Sequence, residues 1–163
     1  MGRLAGELGM RRGEVAAVHH RDLVRDPKGW LLIVTGKGGR QRVIPVPDDL
    51  ASDILAHNPD RGWLFPNGDG GHLCPPYVGH LISTLLGPAT MHQLRHRFAS
   101  VAYARTHDLR AVQRVLGHSS LATTERYVLS TDDDDRAVVE SVRENEKAPP
   151  LSGGGGGLPG DAV

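Results

Sequence analysis

At 163 residues, with 39% hydrophobic but only 4% aromatic side chains, the chain is the size of one domain with a real core built on Leu, Val and Ala. Its single cysteine, Cys74, excludes an internal disulfide, no stretch has the apolar length of a membrane span, and the start MGRLAGELGMRRGEV shows no signal peptide or lipidation motif, so a soluble, cytoplasmic protein is expected. The formal net charge of zero hides an asymmetry: residues 1–130 hold 16 Lys+Arg against 11 Asp+Glu, or +5, and residues 131–163 hold 3 against 8, or −5. A basic body suits a phosphate backbone, but +5 alone does not distinguish it from an ordinary solvated surface.

In chain order, Leu8 to Val18 reads as a helix. Asp22-Leu23 then leads into Trp30 to Val34, an apolar run bounded by glycines that reads as a strand. Gly36-Lys37-Gly38-Gly39 is the turn and Arg42 to Val46 the return strand, with Pro45 and Pro47 marking its edge and end. Asp48-Asp49 caps a helix running to about His57, and Trp63 to Phe65 reads as a third short strand. Pro75-Pro76 opens a helix through Leu86, stopped by Gly87-Pro88. Thr90 caps a long helix from near His92, with Leu94, Phe98, Val101 and Ala102 at helical spacing. Leu109 to Leu116 is a short helix ended by Gly117, and Ser119-Ser120 begins another that reaches Tyr127. Asp132 to Asp135 starts a last helix with Val138, Val139 and Val142 as its apolar stripe, expected to fold back on the body or to bridge protomers. Residues 147–163, rich in Pro and Gly, are expected to be disordered. The sum is a mainly α domain with a small antiparallel β-sheet, an α+β fold.

Four separated segments carry the chemistry. In GMRRGEV, Arg11 stands three residues before Glu14; alone, such a pair is an ordinary surface contact of little weight. In GKGGRQRVIPV, the glycines around Lys37 suggest a nucleotide loop, but that loop needs GxxxxGK[ST] opening a helix, and here a strand returns. In MHQLRHRFAS, His92 and His96 at i and i+4 raise a zinc site, yet Gln93 stands where the glutamate of HExxH would be and no third ligand follows. The segment reads better as H-x-L-R: Leu94 faces the core, while His92 and Arg95 share the opposite face, where Arg95 offers a planar fork to phosphate oxygens. In LGHSSLATTERY, His118 precedes Tyr127 by nine residues. A tyrosine hydroxyl is a weak nucleophile at neutral pH, and one used on a phosphodiester needs fixed cations and a proton acceptor beside it, both of which these segments contain.

In order, type and spacing, the series Arg11, Lys37, His92, Arg95, His118, Tyr127 resembles the catalytic domain of the tyrosine recombinases, or phage integrase family, over roughly residues 4 to 146. The resemblance implies a tyrosine recombinase catalytic domain over residues 1–146, N-terminally truncated and without the core-binding domain that precedes it in family members. It implies site-specific recombination or integration by DNA breaking and rejoining. Tyr127 would be the nucleophile, forming a 3′-phosphotyrosyl bond, and Arg11, Arg95 and His118 would stabilise the transition state. His92 would help move the nucleophile's proton, Glu14 would hold the site together, and Lys37 would protonate the 5′ oxygen. No metal, nucleotide or other cofactor is implied; the partners are double-stranded DNA and other recombinase protomers, with no membrane and no small-molecule substrate. His20 departs from the tryptophan common after this helix in the family. The alternative function is a truncated integrase remnant that binds DNA or docks on a full-length recombinase without catalysis.

Overall fold

The computed structural model describes residues 1–57, 62–87, 89–117, 136 and 138–143. The amino-terminal segment does not form the single helix that Leu8 to Val18 suggested. It makes two short ones, α1 (Gly2–Gly6) and α2 (Arg12–Ala16), and between them Gly9 is left-handed at φ +63. Apolar spacing misleads here because both segments face the same core: Leu4, Leu8, Met10, Val15 and Val18 are all buried.

Three antiparallel strands follow, β1 (Leu23–Asp26), β2 (Gly29–Thr35) and β3 (Gln41–Val46), with β2 in the middle. β1 was not expected. Its turn forms because the Asp26 carboxylate accepts the Lys28 N–H at 2.8 Å and Gly29 takes φ +135, open only to glycine without strain. The third strand expected at Trp63 to Phe65 is absent; Trp63 makes an isolated bridge to His19, and Pro66 another to His72. Alternation along β3 points Arg42, Ile44 and Val46 to one face, opposite Val34, Leu32 and Trp30 of β2. Pro45 lies on an edge strand, where its missing N–H is tolerated.

The remaining helices are α3 (Asp48–His57), α4 (Pro75–Leu86), α5 (Met91–Thr106) and α6 (Leu109–Leu116). Thr90 and Gln93 close a reciprocal cap on α5: the Gln93 N–H donates to Thr90 Oγ1 at 3.2 Å and the Thr90 N–H to Gln93 Oε1 at 2.7 Å. The face of α5 differs from the expectation. Met91, Arg95, Phe98 and Ala102 are buried, so Arg95 sits on the core side, and Leu94 is only half-buried beside it. α5 packs on α1, α4 and α6, and α6 reaches β3.

Residues 138–143 are helical and dock on the body, with Val138, Val139 and Val142 inside the core cluster. Arg143 bonds Glu7 at 3.1 Å and also Asp49, while Arg3 joins Glu7, Asp49 and Asp53. Glu7 is buried, whereas the pairs to Asp49 and Asp53 are exposed at the carboxylate and contribute up to about 1 kcal/mol each. Each buried valine contributes about 1.5–3 kcal/mol, so apolar burial holds this segment and the charges set its register.

A Cβ on Gly9 would lie 2.6 Å from Phe98 Cδ1 and 2.7 Å from Leu116 Cδ2, whereas one on Gly38, also at positive φ, meets nothing within 4 Å. Gly9→Ala is expected to cost roughly 2–5 kcal/mol, from left-handed strain plus overpacking, and Gly38→Ala only the strain of roughly 1–2 kcal/mol. Urea unfolding of both variants checks this, and equal losses would show that Phe98 and Leu116 yield without cost.

Candidate active site

The site is built on the end of α6. A helix leaves its last carbonyls without intrahelical partners, and Gly117, left-handed at φ +64, stops this one. Arginines from three other segments take those carbonyls. Arg42 Nε donates to Val115 O at 2.7 Å, Arg95 Nη2 to Leu116 O at 2.7 Å, and Arg11 to Leu116 O and Gly117 O, each at 3.2 Å. The other Arg95 nitrogen, Nη1, donates to Gly9 O, which ties the left-handed turn between α1 and α2 to the same cluster. Gly117 is also sterically required, since a Cβ there would come within 2.9 Å of Arg42 Cδ.

Glu14 supplies the balancing charge. Its Oε1 accepts from Arg42 Nη1 at 2.8 Å and Arg11 Nη1 at 3.0 Å, and its Oε2 from Arg42 Nη2 and the Arg11 backbone N–H, each at 2.8 Å. Burial alone would raise the Glu14 carboxyl pKa. The Arg42 fork and charge, followed by the Arg11 N–H and guanidinium, outweigh burial and hold the pKa below the usual carboxylate value. Arg95 is pushed down to about 10, chiefly by burial, then by the charge of Arg11, opposed by Glu14 and reinforced by Arg42. It remains charged at neutral pH. Three guanidinium groups against one carboxylate leave a positive excess, and Arg95 commits two bonds to carbonyls out of its five N–H donors. The cluster can therefore receive an anion with planar, charge-assisted hydrogen bonds.

Of the residues expected at the site, the structure brings Arg11, Glu14 and Arg95 together, with Arg11 and Arg95 meeting on the same Leu116 oxygen. Lys37 is exposed on a 3-10 turn, Lys37–Gly39. The base of its hairpin abuts the cluster, because a Cβ on Gly36 would lie 3.5 Å from Glu14 Oε1. His92 is exposed in the first turn of α5 and its ring contacts His96. His118 and Tyr127 lie outside the described residues; Gly117, bonded to Arg11, immediately precedes His118. Among the described residues, no three His, Cys, Asp or Glu side chains gather to hold a metal. Gln93, in the place of a zinc-site glutamate, caps α5 instead.

Arg42 was missed by the sequence reading. Its signal was present: at period two from Ile44 and Val46 it must point inward, and a lone inward cation needs an anionic partner. Arg42→Ala leaves Glu14 with fewer donors and the Val115 carbonyl without its guanidinium, and is expected to cost about 3–5 kcal/mol in denaturant unfolding. Adding Glu14→Gln in that background should recover part of the loss; strict additivity would show that the pair does not interact. For Glu14 alone, a depressed folded pKa means that its stability contribution is complete above the unfolded value of about 4.3 and is lost as pH falls through the lower folded value. The stability gap between the native chain and Glu14→Gln should be wide at neutral pH and shrink below about pH 4, and a gap constant down to pH 3 would contradict the arginine contacts.

The phage integrase family model matches residues 1–134 of this chain. Tyrosine recombinase XerC of Bradyrhizobium diazoefficiens is 35% identical over 132 residues, covering 73% of this chain and 41% of that protein. Tyrosine recombinase XerD of Caulobacter vibrioides is 36% identical over 152 residues, covering 82% and 49% respectively. In structure, the chain is similar to an integrase from mycobacterium phage Brujita, with a TM-score of 0.67 and 28% identity over 93% of this chain and 51% of that one. It is also similar to XerH site-specific recombinase bound to difH substrate in a pre-cleavage complex, with a TM-score of 0.55 and 27% identity over 73% and 40% of the two chains. The chain thus spans about half, or less, of the length of these relatives. With its arginine cluster built around the motifs that carried the resemblance, and with most of its length matched by the family model, the chain belongs to the phage integrase family, the tyrosine recombinases.

Proposed function

We propose that this chain is the catalytic domain of a site-specific recombinase acting on double-stranded DNA together with other recombinase protomers. The observation that carries the reading is the meeting of Arg11 and Arg95 on one carbonyl oxygen, with Glu14 buried beside them, at the segment that leads into His118 and Tyr127. The Tyr127 oxygen attacks the scissile phosphorus as its proton leaves by way of His92. Arg11, Arg95 and His118 stabilise the charge on the non-bridging oxygens, and the 5′ oxygen departs with a proton from Lys37. The 3′-phosphotyrosyl bond keeps the phosphodiester's energy, so attack by a new 5′-hydroxyl rejoins the strand at little net change. Lys37, at the bend of its hairpin and exposed, is free to move toward a bound leaving group. The chemistry calls on no metal or nucleotide. Its place is the cytoplasm, and among the described residues no helix is long and apolar enough to cross a membrane.

Nicked suicide duplexes drawn from a random-sequence pool test the reading at low salt without knowledge of the target site. Tyr127 is expected to form a covalent protein–DNA adduct that denaturing electrophoresis retains, and Tyr127→Phe to abolish it. Lys37→Ala should slow cleavage by roughly 10²–10⁴-fold, with recovery on a leaving group that needs no protonation. Specific binding without any Tyr127-dependent adduct would make the non-catalytic DNA-binding remnant the better account.

A further inference from the structure

His92 and His96 lie one turn apart on the solvent side of α5, with their Nε2 atoms 2.8 Å apart, ring centroids 4.2 Å apart and planes at 85°. Two imidazole nitrogens at that distance share one proton: one ring donates an N–H and the other accepts with its lone pair. The backbone beneath them is held from both sides, by the Thr90–Gln93 cap at the start of α5 and by Arg95 bonded to Gly9 and Leu116. With that backbone held, the contact engages Nε2 of both rings, so whichever ring donates carries its proton on Nε2 and the ring that accepts carries its own on Nδ1.

We propose that His96 is a positioning residue for His92, setting its tautomer and passing its proton to and from water; this rests on the proton-handling role given to His92 above. In the starting state His92 carries its proton on Nε2 and donates it to the bare Nε2 of His96, whose own proton is on Nδ1. His92 Nδ1 is then the free base. When Nδ1 takes the nucleophile's proton, the Nε2 proton crosses to His96 Nε2 and the His96 Nδ1 proton leaves to water. One proton enters and one leaves, both rings end neutral, and the hydrogen bond is reversed. The reversed pair holds a proton on His92 Nδ1, ready to return to the tyrosine oxygen when the strand is rejoined, so the same two rings serve both directions.

Imidazole ¹⁵N spectra of the full chain read the tautomers directly. The native chain is expected to show His92 protonated at Nε2 and His96 at Nδ1, and His96→Ala to return His92 to a mixture. His96→Gln, whose amide oxygen still accepts from Nε2 but cannot relay, should keep the His92 tautomer. On the nicked pool, His96→Ala and His96→Gln should each slow adduct formation by about tenfold, less than loss of a whole acid–base residue, and free imidazole should restore the alanine variant. A purely structural role would not be rescued by imidazole. An unchanged His92 tautomer in His96→Ala overturns the positioning role, and an unchanged adduct rate in both variants overturns the relay. If the native chain forms no Tyr127-dependent adduct, the recombinase reading and the relay both fall, while the spectra still decide whether His96 sets the His92 tautomer.

Discussion

The end of α6 is the constraint on which the rest of the structure depends. A buried carbonyl without a partner costs about 1–3 kcal/mol, and here the Gly117 N–H serves Gln113 and Arg114 while guanidinium groups take the carbonyls of Val115, Leu116 and Gly117. Three cations gathered at one helix end repel each other, so the cluster needs Glu14 and benefits from the negative end of the α6 dipole. Each arginine comes from a different part of the chain: Arg11 from the start of α2, Arg42 from β3, Arg95 from α5. One helix terminus therefore fixes the relative placement of α2, the sheet and α5.

Two glycines make this placement possible. Gly9 turns the chain so that its carbonyl faces Arg95 while Phe98 and Leu116 close over the space where a side chain would sit. Gly117 ends α6 and leaves room for the Arg42 stem. The charged contacts and the apolar packing are thus one arrangement: Leu116 contributes its side chain to the core and its carbonyl to both Arg11 and Arg95.

The helices α3 to α6 were legible because their ends carry local signals: the proline start of α4, Thr90 before α5, Gly117 after α6; the helix expected from Ser119 to Tyr127, the start of the last helix at Asp132 to Asp135 and the tail 147–163 lie outside the described residues. The β2–β3 hairpin was legible for the same reason. What failed depended on tertiary placement. The apolar positions from Leu8 to Val18 fit one helix, and the Gly9 turn, packed against α5 and α6, shortens it to α2. β1 is short and half-polar, so its strand character comes from pairing with β2 rather than from its own pattern. At the candidate site, the gathering of Arg11, Glu14 and Arg95 agrees with the motif resemblance, whereas the burial of Arg95 was not legible, because periodicity treats a cation as a surface residue and does not see the carbonyls waiting for it. Arg42 had no motif to mark it, only its place in an alternating strand.

The docking of residues 138–143 beside α1 and α3 bears on how the molecule comes into being. Arg143 reaches Asp49 across 94 positions, and Arg11 reaches Leu116 across 105. Contacts that distant in sequence raise the contact order and delay closure of the core, since loop entropy is lost before the contacts form. On a ribosome, Leu4 and Leu8 emerge well before the valines that share their cluster, which follow α6. Until then that surface is open to solvent, where a nascent chain is most prone to aggregate or to engage a chaperone.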